Sequence, residues 1–411
     1  MEKGRVDQIK KNGIKTRKTR KILCGDDFME IGGFFEFPDF EKINTKNSAH
    51  YYLTTLNKKY YFLRDGRQSI KSSLMDIKGV KDKTCFLTSY LCDSILQPFN
   101  ELNLNVKFYR HDDPLIPRLG NIKDSVILII DYFGVEAVSN NKIQELLDQG
   151  NSVILDISHS ILNQNRFSIQ DQNLYIISSL RKIFPIPDGG IIYYNKDKFA
   201  TTDKFPVNYE KKLEAMLLRG FYLENFNLKR STPQDDDEKL DSMLEDFYSK
   251  KPVGIKQNLE EIKRYYLSLH YEYELDKYKQ ESKPQNIPSL SLHILNNISI
   301  SRIIEKRFEN LIFLYENIKN KNLFLFNLED IKSPFILPLR FDSETDRDKM
   351  KNLLIENAIF PPVLWDLEKY VPEKYAYERD LGKKILTIPI DQRYSPKILS
   401  KVVDVLNDYD L

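Results

Sequence analysis

Between residues 60 and 195 short apolar runs alternate with amphipathic stretches. The runs YYFL (60–63), TCFLT (84–88), NVKFY (105–109), SVILIID (125–131), SVILD (152–156), LYIIS (174–178) and GIIYY (190–194) have strand length. Between several of them lie segments with helical spacing: RQSIKSSLMDIK (67–78), LCDSILQPFNEL (91–102) and NNKIQELLDQG (140–150). Short apolar runs separated by helices predict a mainly parallel sheet covered on both faces, an α/β doubly wound domain.

The pattern changes at residues 205 to 283. EKKLEAMLLRGFYLENF and NLEEIKRYYLSLHYEYELDKY are charged, rich in tyrosine and spaced as helices, and the acidic run QDDDEK (234–239) between them reads as a solvated loop or helix start. Pro284 and Pro288 mark a boundary, and a long helix is expected over about 298–320. Strand-like LFLF (323–326), FILPLRF (335–341) and KILTIPI (384–390) then alternate with helix-like DRDKMKNLLIENA (346–358) and SPKILSKVVDVLNDY (395–409), a smaller α+β unit.

Composition narrows the classes. The 62 basic and 60 acidic residues leave a net charge of +2, which argues against a nucleic-acid binder. The basic cluster KKNGIKTRKTRK (10–21) is expected to be a flexible tail. Cys24, Cys85 and Cys92 have no paired spacing, so neither a disulfide framework nor a metal site is expected, and a reducing, cytoplasmic setting fits. The first residues lack an apolar leader pattern, and no run is long enough to span a membrane.

Ligands of open parallel sheets sit beyond the carboxyl ends of the strands. Three unusual groups are expected there. Gly66 ends a strand, and the helix starting near Arg67 offers backbone N–H groups to an anion. Asp156 ends the SVILD run, with His159 three residues on. Lys182 follows LYIIS, preceded by Ser178 and Ser179 and followed by Pro185, Pro187, Gly189 and Gly190. A phosphate site, a carboxylate and a lysine in that order are what pyridoxal 5'-phosphate (PLP) needs: an anion cradle, a charge partner for the pyridine nitrogen, and an amine for the aldehyde.

On these residues the sequence resembles the DegT/StrS family of PLP-dependent aminotransferases. The matching stretches are EIGGFFEF, GRQSI, TSYLCDSILQPF, IIDYFGVEA, LDISHSIL, SSLRKIFPIPDGGIIYY and KILTIPIDQRY, spread over residues 30 to 394. The resemblance implies an aspartate-aminotransferase-like fold (PLP fold type I). A large doubly wound domain would span 45–285, and a smaller α+β domain would combine 1–44 with 286–411. It implies Lys182 as the Schiff-base lysine, Asp156 on the pyridine nitrogen, His159 near the phenolic oxygen, and Gly66 and Arg67 at the phosphate. Ser178 or Ser179 would join them at the phosphate, and the residues do not choose between the two. Cys92 stands where many members place a stacking aromatic; Tyr90 is the nearest substitute, and Tyr132 is a further pocket candidate. The implied reaction moves an amino group from an amino acid, expected to be glutamate, to a ketone, expected to be a keto-sugar nucleotide for surface polysaccharide, in a homodimer. The alternatives are a PLP enzyme acting on another carbonyl substrate and a non-catalytic binding protein of the same fold.

Overall fold

The alternating pattern becomes one sheet. In the computed structural model, which describes residues 29–40, 43–56, 58–196, 209–231, 259–279 and 284–409, seven strands form it: β1 (Lys59–Leu63), β2 (Thr84–Thr88), β3 (Asn105–Tyr109), β4 (Val126–Ile130), β5 (Ser152–Asp156), β6 (Leu174–Ser179) and β7 (Gly190–Tyr194). The basic segment 10–21, Cys24, the acidic run 234–239 and Tyr248 lie outside the described residues. The strand order is β1-β7-β6-β5-β4-β2-β3. Only β7 is antiparallel to its neighbours, so the carboxyl ends of the other six share one edge.

Every residue of β4 and β5 is buried, as expected for central strands covered on both faces. Their side chains alternate between two cores. Leu128, Ile130, Ile154, Tyr175 and Ile177 face one, and Ile127, Ile129, Val153, Leu155 and Ile176 face the other. Helix α1 (Gly66–Asp76) packs Ile70 and Leu74 into the first core. The Asp65 side chain caps it by accepting from Gln68 N at 3.0 Å.

Two long helices, α2 (Tyr209–Ser231) and α3 (Leu259–Lys279), pair through Ala215, Tyr222, Ile262, Tyr266 and Leu269. Of the tyrosines in this region, Tyr222, Tyr266 and Tyr273 are buried within the chain, whereas Tyr265, Tyr271 and Tyr278 are exposed. Helix α4 (Ile300–Asn317) is shorter than the pattern suggests because Ser299 caps its start and Ile318 turns to extended backbone. The C-terminal elements are an antiparallel pair, β8 (Ile336–Arg340) with β9 (Ile385–Pro389), covered by α4, α5 (Glu344–Glu356) and α6 (Pro396–Asn407). Ile31–Gly32 pairs in parallel with Ile359–Phe360, which ties the start of the described chain to this end.

The LFLF stretch is not a strand. Asn320 caps a short turn over Lys321–Leu323, Phe324 makes a single bridge to Leu339, and its ring stacks on Tyr315 at 4.0 Å. A side-chain cap and burial against α4 replace the ladder there. The helix expected from residue 91 begins only at Leu96, after a tight turn over Asp93–Ile95.

One buried ion pair fixes the edge beyond β4. Arg166 donates to both oxygens of Asp131 at 2.7 Å, and Asp131 also accepts from Ser160 and from Ala137 N. Both side chains are fully buried. Arg166→Ala leaves the carboxylate without its partner and is expected to cost about 3–5 kcal/mol in urea denaturation; a loss under about 1 kcal/mol contradicts this.

Candidate active site

The carboxyl ends of β1, β2, β5 and β6 surround a cavity of about 290 Å³. Asp65, Gly66 and Arg67 follow β1, Cys92 follows β2, Asp156 and Ser158 stand at the end of β5, and Ser179, Arg181 and Lys182 end β6. Glu274, Lys277 and Tyr278 reach the cavity from α3, and Trp365 from the C-terminal part.

Strand parity decides which residues face it. Asp156 is in register with Ile177, and the first core holds Ile154, Tyr175 and Ile177. Asp156 and Ser179 therefore share that face, and both line the cavity. Ser178 points to the opposite face, where its Oγ is buried and has no hydrogen-bond partner among the described residues.

Lys182 sits in the short turn after β6, and its Nζ is 3.1 Å from His159 Nε2. His159 Nδ1 accepts from Phe133 N at 3.3 Å. That bond uses the Nδ1 lone pair, so the proton of the neutral ring is on Nε2 and faces Lys182. Only an unprotonated amine accepts it. Burial is the main force lowering the Lys182 pKa; Asp156 and Cys92 oppose it, and the neighbouring Arg181 adds to it. Burial, and then Lys182, push His159 well below its ordinary value. The imidazole is held by Phe335, stacked at 4.1 Å and 16°. The lowered pKa and the histidine beside it favour the unprotonated amine, the state a nucleophile or proton acceptor requires.

The Asp156 carboxylate is 6% exposed. Its Oδ1 accepts from Ser158 N at 2.8 Å, and Oδ2 has no hydrogen-bond partner among the described residues. That oxygen can receive an N–H from a ligand.

The other end of the cavity gathers three cations and two carboxylates. A Cβ added to Gly66 would stand 3.0 Å from Ser179 Cβ, so glycine fits closely between helix α1 and β6 and a larger residue would make Ser179 give way. Arg67, Arg181 and Lys277 line this end against Asp65 and Glu274. Lys277 bridges Asp65 at 3.4 Å and Asp188 at 3.1 Å. Burial raises the Glu274 pKa, but Arg181 and Lys277 outweigh it and bring the carboxyl down to about 2.

Of the residues singled out in the sequence, Lys182, Asp156, Gly66, Arg67, Ser179 and Cys92 line the cavity, and His159 touches Lys182. Tyr90 and Tyr132 stand behind it. Both are buried, the Tyr132 hydroxyl bonds to Thr88 and to the Tyr90 carbonyl, and the Tyr90 hydroxyl donates to the Leu364 carbonyl. Tyr90 packs instead against Trp365, with centroids 5.2 Å apart. Trp365, Arg181, Glu274, Lys277 and Tyr278 had no assigned role in the sequence reading. Only Trp365, the single tryptophan of the chain, carried a compositional signal.

No family model and no curated protein matches the chain. Solved structures do. The sugar aminotransferase CalS13 from Micromonospora echinospora is 11% identical, with a TM-score of 0.54 over 93% of this chain and 99% of that one. A DegT DnrJ EryC1 StrS aminotransferase from Brucella abortus is 14% identical, with a TM-score of 0.52 over 90% and 91%. NtdA from Bacillus subtilis, solved with bound cofactor PMP, is 11% identical, with a TM-score of 0.53 over 90% of this chain and 77% of that one. At these identities the likeness is one of fold, and that fold is the aspartate-aminotransferase-like PLP fold type I expected from the sequence.

Proposed function

We propose that the chain is a PLP-dependent aminotransferase of the DegT/StrS type. It takes an amino group from an amino acid, glutamate being the expected donor, and gives it to a ketone, expected to be a keto-sugar nucleotide. The observation that carries this reading is the Lys182 amine, 3.1 Å from His159 Nε2, in the same cavity as the Asp156 carboxylate.

The residues present fit PLP. Asp156 Oδ2, without a partner among the described residues, would hold the pyridinium N–H, Gly66 and Ser179 would cradle the phosphate, and Arg67 and Arg181 would balance its charge. When bound, the cofactor supplies the aldehyde and the electron-withdrawing ring that amino transfer needs. Lys182 Nζ carries the proton lost from the donor's Cα, and His159 orients it. Phe335 and Trp365 stack on His159 and fix its ring beside the amine. The enzyme would work as a cytoplasmic homodimer with a large domain over 45–285 and a small one from 1–44 with 286–411. Tyr265, Leu267 and Tyr271, exposed on α3, support an interface there.

The protein, loaded with PLP and given glutamate but no acceptor, is expected to release about one 2-oxoglutarate per chain and stop, as a ping-pong donor half-reaction does. A nucleotide-linked ketone should then permit continued turnover. No release with glutamate or any other amino acid sinks the aminotransferase reading.

A further inference from the structure

A second cavity, of about 200 Å³, meets the first at Arg181 and Lys182. Three other cations line it: Lys212 from α2, Arg307 from α4, and Arg393. They are not equivalent. Arg307 donates to Gln392 Oε1 and to the carbonyls of Pro334, Phe335 and Ile183. Arg393 donates to Asp391, Glu36 and the carbonyls of Gly33 and Phe34. Arg393 uses all five of its N–H donors and Arg307 four of five, so both are held mainly by the chain and frame the cavity.

Lys212 is different. Its side chain is buried, with the residue 3% exposed, and its one hydrogen bond among the described residues is to His270 Nδ1 of α3, at 2.7 Å. The Nζ also stands 3.9 Å from the centroid of Phe34, whose ring stacks on His270 at 4.4 Å. An ammonium has three donors to satisfy, and no carboxylate lies within ion-pair distance of this one among the described residues. Burial, then Arg181, lower its pKa far below that of an ordinary lysine; Glu274 opposes them, and Lys277 and Asp188 act more weakly in opposite directions. Burial and Lys212 likewise bring His270 down to about 3. Lys212 lines a cavity that opens on the reactive amine, with His270 bonded behind it and no carboxylate paired to it among the described residues, an arrangement that suits an incoming anion.

The cavity is smaller than the usual range of about 300–1,000 Å³ for drug-sized ligands. An amino-acid-sized molecule suits it better than a nucleotide-linked sugar. We propose that Lys212, supported by His270, binds a carboxylate of the amino donor and so sets donor specificity beside Lys182. This rests on the aminotransferase reading. When the carboxylate enters, Lys212 gains the proton that burial denies it, and a charge-assisted hydrogen bond forms.

The test uses the full chain loaded with PLP, with succinate as a dicarboxylate that has no amino group to transfer. Calorimetry in two buffers of different ionisation enthalpy reads both the dissociation constant and the protons taken up. At pH 8 the wild type should bind succinate with proton uptake. Lys212→Met should weaken binding roughly 10–100-fold, the worth of one charge-assisted hydrogen bond, and abolish the uptake. Lys212→Arg should restore most of the affinity without uptake. Unchanged affinity and uptake in Lys212→Met overturn the proposal. So does a Lys212→Met protein that loses affinity for uridine diphosphate but not for succinate, because the cation would then serve the acceptor's phosphates. Succinate binding is measured independently of turnover. If the wild type binds succinate through Lys212 but releases no 2-oxoglutarate, the aminotransferase reading has failed and the carboxylate site has not.

Discussion

Lys182→Ala is expected to abolish amino transfer, with a fall in kcat/KM on the order of 10⁴-fold or more, the scale of losing a nucleophile and proton carrier together. No other lysine among the described residues lines the cavity on the same face as Asp156 with its amine held by a neutral donor; Lys277, the other lysine there, is committed to Asp65 and Asp188. Borohydride treatment of the PLP-loaded wild type should fix a mass increment on the peptide bearing Lys182 and no other. The lowered pKa gives this prediction a pH dependence. An amine reacts with an aldehyde only when unprotonated, so labelling should rise with pH and level off at a pH below the ordinary lysine value of 10.5. Below the Lys182 pKa the amine is protonated and labelling should fall. A label on a different lysine, or a rise centred on the ordinary value, sinks the assignment.

The strands were legible because each is a short, nearly continuous apolar run. Thr84–Thr88, Asn105–Tyr109, Ser152–Asp156 and Gly190–Tyr194 form over the residues the pattern picks out. Residues at strand ends were legible for the same reason: a charge that closes a buried run, such as Asp156, has few places to go except the edge where ligands bind. Parity is where the sequence reading stopped. Ser178 and Ser179 are alike by composition, and only the register of β6 against β5 turns one into the cavity and the other away. The remaining site residues come from distant elements. Trp365 and Phe335 meet His159 only because β8 and the chain near residue 365 pack over the edge of the sheet. Glu274, Lys277 and Tyr278 are spaced at three and one residues on α3, which reads equally well as a solvated helix face. LFLF failed because period alone cannot tell a buried turn from a strand.

Asp156→Asn is expected to leave the fold intact and still cost amino transfer about 10²–10⁴-fold. Asparagine keeps the shape and an oxygen for Ser158 N, the one internal bond the side chain makes among the described residues. Stability should therefore change by less than about 1 kcal/mol. What is lost is charge. With the amide oxygen on Ser158, the NH₂ group takes the place of Oδ2 and presents donors where a pyridinium N–H would need an acceptor. A second readout separates this role from that of a strand-end cap. The Asp156 carboxylate favours the protonated form of Lys182. Its removal should lower the Lys182 pKa further, so the labelling profile should move to lower pH while the maximal extent of labelling is kept. Asp156→Ala should lose activity similarly and shift the profile the same way, but without the competing donor. If the Asp156→Asn protein turns over within about threefold of wild type, or its labelling profile stays where it was, Asp156 only caps the turn after β5, and the charge partner of the ring nitrogen must be sought elsewhere in the cavity.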